Sequence, residues 1–156
     1  MIVNFFVEGL NHDCEFFLDN LNNAENSGFE LGGIELLSNG KLYKLENSDE
    51  YFMVFPSISI VLENLLSFVD NKFQYKYLMF IDSSFDIRLN KKKSGIEIYT
   101  KDLYFDVVDE IELLKDFYYA SVEFYNKNPI PHNSKSVMIL KDFYSISKRV
   151  SLFISK

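Results

Sequence analysis

The sequence predicts an α+β fold, a mainly antiparallel sheet packed by two or three helices, in a single domain spanning residues 1–156. Three observations predict it. An Asn-Gly pair separates two apolar runs, short alternating segments follow one another from Tyr75 to Thr100, and apolar residues recur at helical spacing over 58–69 and 107–125.

Taken in order, Ile2 to Glu8 is β-branched and aromatic and reads as a strand. Asn11 to Ala24 carries Phe16, Phe17, Leu18 and Leu21 and reads as a short helix, and Asn22 to Gly33 reads as turn-like. Ile34–Leu37 and Lys41–Leu45 flank Ser38-Asn39-Gly40, the signature of a tight β-hairpin. Glu50 to Phe55 is expected to be a strand stopped by Pro56. Ser57 then caps a helix whose apolar face is Ile58, Val61, Leu62, Leu65, Leu66 and Val69.

Tyr75–Ile81, Phe85–Leu89 and Ile96–Thr100 read as a meander. Phe85, Ile87 and Leu89 alternate with Asp86, Arg88 and Asn90, which puts one face in the core and one in water. Asp106 to Asn126 reads as a helix with Val107, Ile111, Leu114, Tyr118, Val122 and Tyr125 on one stripe, acids at its start, and Pro129 blocking its continuation. In the C-terminal run, Ile139, Phe143, Ile146, Val150 and Phe153 follow 4-3-4-3 spacing, which favours helix over strand for a segment of this length.

Composition narrows the class. At 156 residues the chain can bury about two-thirds of its unfolded surface as one domain. Its apolar runs stop well short of the roughly 18 residues that span a bilayer. The opening Ile-Val-Asn-Phe-Phe-Val lacks a basic leader, and the lone Cys14 cannot form an internal disulfide; both lead us to expect a cytoplasmic protein. Sixteen Phe, ten Tyr, and fourteen Lys against two Arg are what an A/T-rich genome favours, so the aromatic excess is expected to fill core and surface.

Charge is divided unevenly. Residues 1–90 carry net −9 and residues 91–156 net +2, and ten acids against two lysines fall between Glu8 and Glu50. That segment repels nucleic-acid phosphates and attracts a basic partner.

Candidate chemistry is sparse. Cys14 becomes a nucleophile only beside a base such as His132, and Asp13 and Glu15 oppose thiolate formation. His12 through Glu15 are all ligand types, but consecutive residues project in different directions, so neither a metal nor any other cofactor is expected. Asp106, Asp109, Glu110 and Glu112 are explained by the dipole at a helix start. Asp82, Asp86 and Glu97 are expected on the wet face of the meander. Lys91-Lys92-Lys93 reads as a solubilising turn, with phosphate docking as the alternative. No glycine-rich phosphate loop, nucleophile elbow or zinc-protease motif occurs.

A short acidic α/β chain of this organisation, rich in aromatics, resembles the immunity proteins of bacterial toxin systems, including those of contact-dependent growth inhibition. The resemblance implies a non-enzymatic protein that occludes a cognate toxin domain, with no direct contact to nucleic acid or membrane. A basic toxin would be steered onto Asp13, Glu15, Asp19, Glu46, Asp49 and Glu50. The alternatives are a small enzyme with a site assembled from scattered residues, such as Cys14 with His132, and a structural or regulatory module of a larger assembly.

Overall fold

The computed structural model describes residues 1–10, 27–71, 73–101, 103–131 and 136–156. Its elements run β1 Ile2–Leu10, β2 Glu30–Ser38, β3 Lys41–Lys44, β4 Phe52–Met53, α1 Val54–Asp70, β5 Tyr75–Met79, β6 Asp86–Lys92, β7 Gly95–Tyr99, β8 Tyr104–Val108, α2 Glu110–Lys127 and α3 Val137–Ile154. This is the α+β class that the sequence predicts, with all strand pairings antiparallel. The strands divide between two sheets: β1-β2-β3 with β4 also on β2, and the meander β5-β6-β7-β8. The helix expected over Asn11–Ala24 lies outside the described residues.

The β2–β3 hairpin forms where Asn39-Gly40 predicts it, and both residues have positive φ (50° and 78°), as the tight turn with matching twist requires. The turn-like reading of Asn22–Gly33 is corrected at its end, because β2 begins at Glu30 and runs through Gly32 and Gly33. The true turn is Ser27–Phe29. Gly28 takes a φ of +95°, and the buried Glu30 carboxylate accepts from the backbone N–H groups of Ser27 and Gly28 and from the Ser27 hydroxyl. Gly32 and Gly33 stay in the strand because β1 passes too close for side chains: a Cβ on Gly33 would lie 2.6 Å from Phe6 Cζ.

The helix start after β4 is also corrected. Only Phe52 and Met53 pair as a strand, and α1 begins at Val54. Pro56 therefore sits in its first turn, where its missing N–H has no partner to lose. Ser57 is fully buried and does not cap; its Oγ accepts from Ile81 N–H at 2.8 Å, tying α1 to the chain leaving β5. The helix is apolar nearly all round and lies centrally, packed on α2, α3, β2 and β5.

The helix expected from Asp106 starts at Glu110 instead, and residues 104–108 form β8, a strand that the pattern concealed. Asp109 is its cap and accepts from Ile111 N (2.9 Å) and Glu112 N (3.2 Å). The buried stripe is Leu113, Leu114, Phe117, Ser121, Phe124 and Tyr125, rotated from the one predicted. The C-terminal run is helical, with Ile139, Phe143, Ile146 and Val150 buried as its spacing requires.

Tyr125 locks α2 to its neighbours. Its ring stacks on Phe143 at 3.8 Å between centroids, and its hydroxyl donates to the Phe55 carbonyl oxygen at 2.8 Å. Burial pushes its phenol well above the ordinary value of 10.0; Asp142 and Tyr144 push the same way, and Ser59 opposes them. Below that value the phenol is neutral in both folded and unfolded chains. Above it the unfolded chain ionises while the folded one cannot, so stability falls as pH rises. Urea unfolding from about pH 9 to about pH 12 is expected to show wild type losing up to about 1.4 kcal/mol per pH unit more than Tyr125→Phe. Parallel pH profiles would contradict the assignment.

Candidate functional site

In an antiparallel sheet, residues directly opposite one another share a face. On the meander, Leu78, Ile87, Leu89, Ile96, Ile98 and Phe105 face the core. The other face is built from two cross-strand rows. Tyr77, Arg88, Tyr99 and Tyr104 make one, and Tyr75, Asn90 and Glu97 the other, with Met79 opposite Asp86 beside them. Tyr75, Tyr77 and Met79 are 55–66% exposed, an unusual amount of large apolar surface for three alternate positions of one strand.

This face is concave. A cleft of about 630 Å³ opens on it; its lining includes the aromatic rings of Tyr75, Tyr77 and Tyr99, the acids Glu50 and Asp86 and the bases Lys76, Arg88 and Lys101. The Arg88 guanidinium lies over the Tyr77 ring at 5.6 Å and pairs with Asp86 at 3.5 Å. Lys101 Nζ pairs with Glu50 Oε1 at 2.8 Å, and the Tyr99 and Tyr104 rings lie 5.0 Å apart.

Glu97 lies on the outer face, as expected, but it is not in water. It is 3% exposed, and its carboxylate accepts from the Tyr99 and Tyr104 hydroxyls and from Asn90 Nδ2, and pairs with Lys92. The register shifts beside it, so that two residues of β8 stand opposite this one residue of β7. Tyr99, two residues on along the same strand, and Tyr104, opposite Tyr99 on β8, both lie on the face of Glu97, so two tyrosines converge on one acid. Burying a carboxylate requires donors of this kind. Its role is to fix Tyr99 in the cleft wall and Tyr104 beside it.

The acids expected to meet a partner are distributed unequally. Glu46 and Asp49 are exposed on the loop between β3 and β4. Asp49 belongs to a single 3₁₀ turn, Ser48–Glu50, capped by Asn47. Glu50, at the end of that turn, is buried to 8% exposure and lines the cleft. The loop thus sends Glu50 into the cleft and leaves Glu46 and Asp49 in water. Asp13, Glu15 and Asp19 lie outside the described residues, as do Cys14, His12 and His132.

The lysine cluster is not a free solubilising turn. β6 is an interior strand, and Lys91 is mostly buried, donating to the Phe68 carbonyl oxygen at 3.1 Å and pairing with Glu110 at 2.9 Å. Lys92 is committed to Glu97, which leaves Lys93 at the turn itself. Lys91 therefore joins β6 to the end of α1 and the start of α2. Among the described residues, no three His, Cys, Asp or Glu side chains converge as metal ligands, and no helix is long and apolar enough to cross a membrane.

Sequence reasoning placed Tyr75, Tyr77 and Tyr99 in strands but did not single them out. A signal was present, because Tyr75, Tyr77 and Met79 alternate with Lys76 and Leu78, leaving aromatics on the face that Arg88 and Asp86 mark as wet.

Comparison of the chain with protein-family models, curated proteins and solved structures returned no match.

Proposed function

We propose that this chain is a binding protein that neutralises a basic toxin domain by occlusion, the role of an immunity protein, and that it does so with the outer face of the β5–β8 meander. The observation that carries this reading is the exposed row of Tyr75, Tyr77, Met79 and Tyr99 with Arg88 among them. Tyr, Met and Arg are the residues enriched where protein interfaces are buried, since each offers large contact area and, for Tyr and Arg, directional hydrogen bonds. A stable interface covers about 800 Å² on each side, more than the cleft alone. The exposed Glu46 and Asp49, on the β3–β4 loop that leads into Glu50 of the cleft, would steer a cationic partner during approach.

The test is co-expression with the product of the neighbouring gene, followed by co-purification and kinetic binding measurements. Tyr77→Asp combined with Arg88→Glu is expected to weaken the complex by about thirtyfold or more, chiefly through faster dissociation. Glu46→Lys with Asp49→Lys is expected to slow association about tenfold at low salt and much less at high salt. A complex indifferent to the Tyr77 and Arg88 changes removes this face from the interface. If no complex forms with a folded neighbour, the neutralisation reading fails.

A further inference from the structure

The cleft holds acids and bases together, yet the two signs are not placed alike. In each of its ion pairs the acid is the more enclosed partner: the Glu50 side chain is 10% exposed against 68% for Lys101, and Asp86 is 32% exposed against 62% for Arg88. Just behind the cleft wall, Glu97 at 3% faces Lys92 at 54%. Glu50 has little freedom, since Asn47 Nδ2 also donates to its carboxylate at 3.3 Å and Ser83 Oγ donates to its carbonyl oxygen. The bases are long side chains whose charged ends lie on the solvent side. An exposed ion pair is weak because its long side chain returns to water at little cost, so the bases give up their places more readily than Glu50, which is buried and held by Asn47 and Ser83.

We infer that this cleft is a receptor for a planar cation, a guanidinium or amidinium group, and that Lys101 and Arg88 occupy that place until a partner supplies it. The inference rests on the proposed function only in taking the cation from a basic protein. The chain itself displays both halves of the recognition. A guanidinium already lies on the Tyr77 ring, and an ammonium already lies on Glu50. An incoming arginine side chain would lay its plane against the ring faces of Tyr75, Tyr77 and Tyr99 and turn its fork of N–H donors toward Glu50 and Asp86, using the stacking and bidentate geometry that an ammonium lacks. The lining carries Lys76, Arg88 and Lys101 against Glu50 and Asp86, and what disfavours an anion is that its approach to Lys101 or Arg88 sets it beside Glu50, which is held in place, or Asp86.

The experiment is an NMR titration of the ¹⁵N-labelled full chain with N-acetyl-arginine methylamide and with benzamidine, using N-acetyl-glutamate and inorganic phosphate as opposing probes. The expected result is saturable shifts from the cationic probes confined to the amides around Tyr75, Tyr77, Tyr99 and Lys101. Lys101→Met, which removes the resident cation, is expected to tighten binding by up to about fivefold. Glu50→Gln is expected to weaken it by about tenfold or more, with Asp86→Asn read in its place if Glu50→Gln does not fold. No saturable response to the cations, a preference for phosphate or glutamate, or weaker binding in Lys101→Met overturns the inference. If the toxin complex maps to the meander while both cationic probes fail, only the cation receptor is lost. If the probes bind and no toxin complex exists, the receptor stands and the neutralisation reading falls.

Discussion

Gly32→Ala is expected to cost about 4 kcal/mol or more, a large share of the stability of a folded chain of this size. A Cβ on Gly32 would lie 1.8 Å from the carbonyl oxygen of Phe6 and 2.9 Å from Val54 Cγ2. The first clash is with backbone, which no rotamer change can relieve. Gly32 is also hemmed in on both sides, since β2 pairs with β1 through Val7 and with β4 through Phe52 at this one residue. The bulge at Glu8, where the β1 register shifts between Val7 and Gly9, fixes how closely β1 passes. Gly40→Ala is the control. Its Cβ would meet nothing within 4 Å, so only the positive φ of 78° is strained, at about 1–2 kcal/mol. Urea denaturation of the two variants separates steric from conformational cost, and a Gly32→Ala protein within 1 kcal/mol of wild type would mean that the two strands are farther apart than described.

The second large effect is expected at Phe52. Its ring is fully buried and packs against Phe80 (4.4 Å between centroids) and Phe85 (6.1 Å), with Phe85 in turn stacked on Tyr43 of β3. These rings join the first sheet to the chain between β5 and β6, helped by the Met53 N–H bond to the Ile81 carbonyl oxygen at 3.1 Å. Phe52→Ala is expected to cost about 3–5 kcal/mol, the sum of lost transfer energy and an unfilled cavity. The aromatic face should suffer with it, because the same seam brings Glu50 to the cleft. Thermal unfolding measures the first effect, and probe binding in the surviving folded fraction measures the second. A change below about 1 kcal/mol would show that the two sheets do not share this seam.

Much of the fold was legible because neighbouring residues carry the information. Asn39-Gly40 specifies its turn through conformations few other pairs adopt, Ile58 to Val69 specifies a buried helix by spacing, and alternation at 85–90 specifies a half-buried strand. The boundaries went astray where two patterns overlapped. Val107 fits the helical stripe of α2, but β7 needed a partner at its edge, so residues 104–108 were drawn into the sheet and the helix began after its Asp109 cap. Pro56 looked like a strand stop and is instead tolerated inside the first turn of α1.

The candidate site was less legible, for a different reason. Acidity between Glu8 and Glu50 can be counted in the sequence, but Glu30 and Glu50 turn inward while Glu46 and Asp49 stay out, and no local pattern distinguishes them. What settles each case is a partner remote in the chain or a bend in the backbone. Lys101 lies 51 residues from Glu50, and Glu97 gains the Tyr104 hydroxyl from the next strand as well as that of Tyr99 on its own. By itself the sequence determined the class of fold, the hairpin turn, the central helix and the wet and dry faces of the meander, since these follow from turn chemistry and periodicity within a few residues. Only the tertiary structure decided which acids are buried and that tyrosines from β5, β7 and β8 line one face with Arg88 and Glu50, because desolvation and charge pairing act between groups that meet only once the sheets have closed.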